Sequence, residues 1–175
     1  NLQRQMLGVF YRNSFTRLGS IIDGLSNTSM YGEIKKGPNS QSGSLAVIAA
    51  GTPDDYRVAT WDRTDWSSDA NALAAPPAAC EDRSNRAWMY RGLQYYRGLL
   101  VATYYNHTLP PNARLRDCIS NDIYVGHLAS RSYHPGGVNN AYNDGSVHFI
   151  SDNVDAETWW AIGTRSGGEV VGAIE

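Results

Sequence analysis

His134 and Asp144 are a candidate catalytic pair in this 175-residue chain, because a carboxylate can orient a histidine as a general base. The run Asn143-Asp144-Gly145, however, lies between two stretches of apolar and β-favouring residues, which predicts a β-hairpin with Gly145 at positive φ. Asp144 then lies at the hairpin tip, whereas His134 precedes the first strand. At about 3.4 Å per residue the two side chains are more than ~10 Å apart, so we predict no catalytic pair.

Other catalytic motifs are missing from the sequence. It contains no Gly-x-Ser-x-Gly elbow, no His-Glu-x-x-His metalloprotease motif and no phosphate-binding Gly-Lys-Ser. The remaining histidines, His107, His127 and His148, are scattered along the chain. We therefore predict that the protein is not an enzyme and has no cofactor. A secreted hydrolase stays as a third hypothesis, which a convergent cluster of histidine, acid and nucleophile would revive.

Calcium binding is a further interpretation of the acidic residues. The run from Asn140 to Gly145 resembles the start of an EF-hand loop, but Tyr142 stands at a ligand position and Ser151 stands where the loop needs a bidentate Glu. We therefore interpret the Asp-Gly pair as a turn. Other carboxylates that could meet around an ion are Asp23 with Glu33, and the group Asp62, Asp65 and Asp69. Structural calcium stays an open hypothesis, and no specific metal site is predicted.

Aromatic residues give the chain an alternative as a binding protein. Trp61, Trp66 and Trp88 could form stacking platforms for a polysaccharide, although the same residue type also anchors cores and interfaces. A formal net charge of −2 gives no electrostatic reason to expect nucleic acid or an anionic membrane surface as a partner. No run approaches the roughly 20 apolar residues of a membrane-spanning helix.

Cys80 and Cys118 are the two cysteines of the chain, and lysine is nearly absent. An even cysteine number in such a polar chain indicates a disulfide and an extracellular location, while two buried free thiols are the alternative. The bridge would contribute roughly 4 kcal/mol in the chain-entropy model. The cysteines have no CxxC or histidine cluster near them, which argues against zinc.

The length suits a single globular domain over residues 1–175, and the patterns predict a β-dominated α+β fold with long loops. A C-terminal hairpin is predicted for Val138–Tyr142 and Ser146–Ile150. It is followed by a short helix over Ala156–Ile162, with Asp155 as its N-cap and Gly163 after its end. Further strands are predicted for Ser29–Ile34, Arg57–Trp61, part of Asp122–Ser130, and the tail Arg165–Glu175.

Three segments are harder to assign from sequence. Leu45–Ala50 fits either a buried strand or a helical turn, and Ser20–Gly24 fits a helical turn closed by Gly24. Ala87–Tyr105 is heavily aromatic, which favours strands interrupted at two glycines, Gly92 and Gly98, over one helix. Asp62–Ala79 and Lys35–Ser44 are predicted to be loops.

A pattern of His, nine residues and Asp-Gly runs from His134 to Gly145, within Ser132–Asn139 and Asp144–Val147. Other motifs, in chain order, are Asn13–Thr28, Gly32-Glu33, Cys80, Trp88, Gly92, Leu109–Asn112, Cys118, Trp159, Ile162–Arg165 and Gly168–Val171. Together these motifs resemble the planctomycete-type family of prepilin-like proteins, which carry the His, nine residues, Asp-Gly signature near the C-terminus.

The resemblance implies a non-enzymatic subunit of a type IV pilus or type II secretion pseudopilus. Such a pseudopilin has an N-terminal hydrophobic helix in its inner-membrane precursor and a β-rich extracellular head. We expect that helix to lie outside this chain, which corresponds to the head and would contact a membrane only through the helix. The implied partners are copies of itself and other pilin-like subunits in a cell-surface filament.

The same resemblance implies a structural role for the signature residues. His134, Gly136, Gly137, Asp144 and Gly145 are expected to shape the fold. The run from Asn140 to Asn143 is polar where the family is apolar, so this strand is not expected to be buried on both faces.

Overall fold

Short β-strands make up most of the regular structure that the chain shows, which confirms the β-dominated α+β class. The computed structural model describes residues 8–37, 45–47 and 58–169, except residues 12, 67, 83 and 90. Within these residues the strands are β1 (Ser29–Gly32), β2 (Leu45–Val47), β3 (Ala59–Trp61), β4 (Arg86–Trp88), β5 (Asp117–Ile119), β6 (Gly126–His127), β7 (Gly137–Tyr142) and β8 (Val147–Ser151). The helices are α1 (Ala70–Ala74) and α2 (Ala156–Ala161), with 3₁₀ turns at Leu18–Ser20 and Ala78–Glu81.

The chain divides into two compact units, which are described separately. The terminal unit comprises Asn1–Glu33, Pro110–Asn112 and Arg131–Glu175, and the middle unit comprises Ile34–Leu109 and Ala113–Ser130. The single globular head over residues 1–175 stays a prediction. No helix in the described ranges is both long enough and apolar enough to cross a bilayer.

The sheet of the terminal unit is antiparallel and three-stranded, in the order β1-β7-β8. The β7–β8 hairpin and β1 confirm the strands predicted there from sequence. One face of β7 and β8 carries the buried residues Val138, Asn140, Tyr142 and Ile150, and on this face only His148 of β8 is exposed. Strand alternation places the Asn140 side chain on this face, where its Nδ2 donates to Ser29 Oγ at 3.1 Å. On the other face Asn139 and Ala141 are half-buried, so β7 is not buried on both faces.

Helix α2 forms as predicted, because Asp155 accepts a hydrogen bond from the backbone N of Thr158 at 2.9 Å. Trp159 is buried on its inner side, while Trp160 is exposed. The predicted helical turn at Ser20–Gly24 is displaced, since the 3₁₀ turn ends at Ser20 and Gly24 reverses the chain at φ +102°. The tail strand predicted for Arg165–Glu175 does not form over residues 165–169, and the rest of that segment lies outside the described residues.

The sheet of the middle unit has the order β2-β4-β3-β5-β6, with β3 and β5 parallel and the other pairs antiparallel. Strands β3 and β6 confirm the strands predicted around them, and β2 shows that Leu45–Val47 is a strand. Residues 48–50, Arg57 and residues 38–44 of the predicted loop lie outside the described residues.

Two predictions for the middle unit are wrong. Of the strands expected within Ala87–Tyr105, the described residues show only the end of β4, and turns follow from residue 91. The chain turns because Gly92 has φ +70° and its backbone N donates to the Ala102 carbonyl at 2.7 Å. The loop predicted for Asp62–Ala79 contains α1, which Asp69 caps by accepting from the backbone N of Asn71 at 2.9 Å.

Cys80 and Cys118 are joined by the predicted disulfide, which links the 3₁₀ turn at Ala78–Glu81 to β5. Both cysteines are fully buried, and they pack with Trp66 and Ala72. A separate apolar cluster consists of Ala59, Val101, Ala102, Ile119 and Leu128. The bridge therefore crosses the interior of the middle unit and does not lie on its surface.

A buried ion pair lies within the same unit. Arg91 Nε and Asp117 Oδ2 are 2.6 Å apart, and the two side chains are 2% and 0% exposed. The guanidinium also donates through Nη1 to the carbonyls of Leu100 and Tyr104, at 3.1 and 2.6 Å. Asp117 Oδ1 accepts from the backbone N of Ala129 at 3.0 Å. These bonds fasten the turns after residue 91 to strand β5.

Candidate functional site

The signature residues His134, Gly136 and Gly137 lie where β7 begins, next to the end of β1 and the end of β8. We call this part of the terminal unit the motif junction, and it consists of Glu33, Asn112, Ser132–Gly137, Asn139 and Asp152. Its backbone includes several turns, and its polar side chains form hydrogen bonds that link these turns to the neighbouring strand ends.

Glu33 fastens the end of β1 to β7. Its carboxylate Oε2 accepts from the backbone N of Asn139 at 2.8 Å and from the Nδ2 of the same residue at 3.3 Å. The Glu33 carbonyl accepts from the backbone N of Arg131 at 2.8 Å. Burial by itself would raise the pKa of Glu33, but hydrogen bonds from Asn139 and Ser132 and the nearby His134 hold this pKa below its usual value.

His134 contacts Glu33 and not Asp144. Its Nε2 lies 3.3 Å from Glu33 Oε1, and its side chain is 55% exposed. The imidazole and the Phe149 ring are nearly perpendicular, with 80° between their planes and 6.5 Å between their centroids. The backbone N of His134 donates to Ser132 Oγ at 3.0 Å. The histidine of the signature thus joins β1 to the turn before β7.

Asn112 is a junction residue that the sequence reasoning missed. It has φ +50°, and its Oδ1 accepts from the backbone N of Ser132 at 2.8 Å. Its Nδ2 donates to Asp152 Oδ1 at 2.7 Å and to the Gly137 carbonyl at 3.3 Å. An asparagine after two prolines tolerates the left-handed region, and that was the available signal. Its partners, however, lie too far along the chain for a sequence pattern to reveal.

The two glycines of the junction are required for different reasons. Gly136 has φ +83°, and its carbonyl accepts from the backbone N of Asp152 at 2.8 Å. Gly137 has an ordinary backbone conformation, but a Cβ there would collide with the Ile150 carbonyl oxygen and lie 2.7 Å from the Phe149 ring. Gly136 is therefore required for its positive φ, and Gly137 is required because a larger residue would not fit beside β8.

We expect Gly137→Ala to lower the free energy of unfolding by roughly 2–3 kcal/mol, because β8 must shift to admit the methyl group. Gly136→Ala is the matched control, since a Cβ there meets no atom within 4 Å and only the positive φ is penalised, by about 1 kcal/mol. Urea unfolding of both variants measures the difference. A larger loss for Gly136→Ala would contradict the close approach at Gly137.

The hairpin tip holds the other two signature residues. Asp144 Oδ1 accepts from Ser146 Oγ at 2.7 Å and from its backbone N at 2.9 Å, and both bonds lower the pKa of Asp144. Gly145 has φ +88°, as predicted, and its backbone N donates to the Tyr142 carbonyl at 3.0 Å. Asn143 Nδ2 donates to the Thr28 carbonyl at 2.7 Å, so the tip is bound to the start of β1.

Of the three tryptophans considered as stacking platforms for a ligand, one is buried and two are half-buried. Trp66 is 1% exposed and its Nε1 donates to Asp62 Oδ2 at 2.9 Å, so the prediction that its face stacks a ligand is wrong. Its ring serves the packing around the disulfide. Trp61 and Trp88 are half-buried against the apolar cluster of the middle unit, with 6.5 Å between their ring centroids.

The candidate metal carboxylates have other partners. Asp23 accepts from the backbone N of Gly167 and of Gly168 at 2.8 and 2.9 Å, and Asp69 caps α1. Asp62 accepts from Thr64 as well as from Trp66. Among the residues that the structure describes, no group of three or more His, Cys, Asp or Glu side chains could hold a metal ion.

The remaining histidines differ in their surroundings. Burial lowers the pKa of His107 to about 3. Burial also lowers the pKa of His127, whose Nε2 lies 2.8 Å from the Ala72 carbonyl. His148 is exposed, although it lies on the same sheet face as Asn140, and its ring is 4.9 Å from the Tyr142 ring between centroids.

These features describe a β-rich protein whose signature residues bind strand ends and turns to one another. A family described as "Protein of unknown function (DUF1559)" matches residues 3–157, and the chain belongs to that family. This agrees in part with the resemblance to planctomycete-type prepilin-like proteins, although the match does not single out the His134 to Gly145 signature. No curated protein and no solved structure matches the chain significantly.

Proposed function

We propose that this chain is the head of a non-enzymatic structural subunit in a surface assembly of the type IV pilus or type II secretion pseudopilus kind. The head is exported from an inner-membrane precursor and lies outside the cell. Its role is to assemble with copies of itself and with other pilin-like subunits. Membership of the DUF1559 family supports a pilin-like surface protein, and the following observation supports the structural role.

The observation that carries the proposal is the motif junction itself. His134, Glu33 and Asn112 all bind groups of the protein that belong to a strand end or a turn. Gly137 is required for a close approach of β8, and Asp144 for the turn. Signature residues and neighbours that bind strand ends and turns to one another are what a scaffold needs. The disulfide adds support for an extracellular location, because such bonds persist in oxidising compartments.

Localisation in the cells that produce the protein tests this proposal. An antibody against this chain should label intact cells and a filament fraction sheared from them. Deleting the prepilin peptidase should leave the chain in the inner membrane as an uncleaved precursor. A chain that reaches the surface without the peptidase, or that stays in the cytoplasm, would refute the proposal.

Two variants separate a structural from a reactive role of the signature. His134→Gln keeps a hydrogen-bonding side chain beside Glu33 and should leave surface assembly nearly intact. Gly137→Ala disturbs the junction and should reduce the amount of assembled protein. The opposite order would point to chemistry at the imidazole.

A binding module for polysaccharide is the second candidate, favoured by two exposed aromatic rings of the middle unit. Tyr95 and Tyr96 are 88% and 72% exposed, and their centroids are 5.7 Å apart. Rings exposed to this degree can stack on sugars. A saturable fluorescence titration with a glycan, lost in Tyr95→Ala but not in a Tyr133→Ala control, would favour this candidate over a pure scaffold.

A further inference from the structure

Strand β8 is an edge strand with free backbone groups. Hydrogen bonds from Tyr142 N to the Ser146 carbonyl and from Asp152 N to the Gly136 carbonyl fix which β8 residues face β7. By antiparallel alternation, His148 and Ile150 bond to β7, while the N–H and C=O groups of Val147 and Phe149 point away from it. Within the described part of the chain, these outward groups of Val147 and Phe149 have no hydrogen-bond partner.

The other sheet edges of the described residues are protected, and β8 is not. β1 has a register shift between Ser29 and Tyr31, and the backbone N of Ser29 is bonded to the Ile162 carbonyl. The edge strands of the middle unit, β2 and β6, have three and two residues. Bulges and short strands are devices that prevent edge pairing. The five residues of β8, Val-His-Phe-Ile-Ser, include no proline, no lysine and no acidic residue.

The side chains of Val147 and Phe149 also make one face of β8 apolar. Val147 and Phe149 are 63% and 48% exposed and lie on one face of the sheet, because residues two apart share a face. An exposed apolar edge strand is a template for strand addition. A strand that pairs with β8 must offer two residues whose backbone groups bond to those of Val147 and Phe149. It must not place a charged side chain against these two apolar side chains.

We infer that a second copy of this chain pairs with β8 through its own β8, in antiparallel orientation about a twofold axis at His148. This register places Val147 opposite Phe149 of the second copy and satisfies all the outward groups of both residues in each strand. Ser151 takes no part, which fits the bond that its carbonyl already accepts from Val154 N at 3.1 Å. The apolar side chains of Val147 and Phe149 then pair across the new strand boundary.

The pairing deepens the proposed structural role by naming a contact between copies, and it rests on that role for its biological meaning. It is tested on the isolated chain in solution, so the two ideas can fail independently. A chain that stays monomeric would refute the edge pairing but not the proposed surface export. A chain that stays in the cytoplasm would refute the surface export but not the edge pairing. With so few hydrogen bonds, we expect weak association in solution.

Amide hydrogen exchange followed by NMR tests the inference residue by residue. As concentration rises from micromolar to millimolar, the amides of Val147 and Phe149 should become slower to exchange, while those of His148 and Ile150 should be slow throughout. Sedimentation over the same range should show a monomer–dimer equilibrium. Protection of Val147 and Phe149 that is independent of concentration would mean that another segment of the same chain covers the edge, and it would overturn the inference.

Variants distinguish edge pairing from general stickiness of the face. Val147→Lys places a charge at the boundary and should weaken dimerisation at least about tenfold. Phe149→Pro removes an outward N–H without touching the bonds to β7, so it should abolish the dimer while His148 and Ile150 stay protected. Tyr31→Lys is the control, because Tyr31 is exposed on the opposite edge strand of the same sheet. Equal losses in Tyr31→Lys and Val147→Lys would overturn the inference.

Discussion

Replacing Asp117 with Leu is expected to lower the free energy of unfolding by roughly 3–5 kcal/mol, because the buried Arg91 guanidinium then lacks its carboxylate. The two groups are 2.6 Å apart and almost completely buried, so water cannot compensate for the loss. The backbone N of Ala129 loses its acceptor as well. Urea unfolding of the purified protein, with the disulfide intact, measures the effect.

A double-mutant cycle separates the ion pair from the packing around it. Arg91→Met combined with Asp117→Leu should cost less than the sum of the single changes, with a coupling of about 1–3 kcal/mol. Asp82→Leu serves as the control, because Asp82 is exposed and holds only a local turn through Ser84 N. If Asp117→Leu costs no more than the control, the buried pair does not stabilise the middle unit.

Removing the disulfide by Cys80→Ala with Cys118→Ala should lower the free energy of unfolding by roughly 4 kcal/mol, because the bridge closes a long loop in the unfolded chain. The two cysteines are 38 positions apart in the sequence, and both lie in the interior beside Trp66. The change to alanine avoids burying a new polar group. Thermal and urea unfolding with and without reductant measure the effect.

Reductant supplies the internal control for this experiment. It should destabilise the unmodified protein by a similar amount and leave the double variant unchanged. A protein whose thiols are shown by mass spectrometry to be reduced, yet whose stability does not change, would contradict the expectation.

Local signals allowed the hairpin and the C-terminal helix to be predicted. The Asn143-Asp144-Gly145 run needs only its own backbone preferences to form a turn, and Asp155 needs only the amide of Thr158 to cap a helix. The order of motifs also selected residues that the folded chain uses at strand ends. For the hairpin turn and the helix cap, the interaction lies within a few residues along the chain.

Long-range contacts explain what the sequence did not reveal. The turns after residue 91 depend on Arg91 meeting Asp117, a contact 26 positions away, so aromatic content alone suggested strands wrongly. Glu33 and Asn139 are 106 positions apart, and no periodicity could indicate that they bind. Helix α1 has only five residues, too short for a helical repeat to be visible. The sequence left open whether Trp66 stacks a ligand or packs in a core, and only the fold shows that it packs beside the disulfide.

The pairing of β1 with β7 has a consequence for the order in which the protein can mature. The segment Ser29–Gly32 leaves the ribosome early, yet its partner Gly137–Tyr142 is made only after the whole intervening stretch. The middle unit has nearly all of its residues available sooner. Newly made β1 must therefore wait unpaired, which favours slow completion of the native state and gives export machinery or chaperones time to act on the chain.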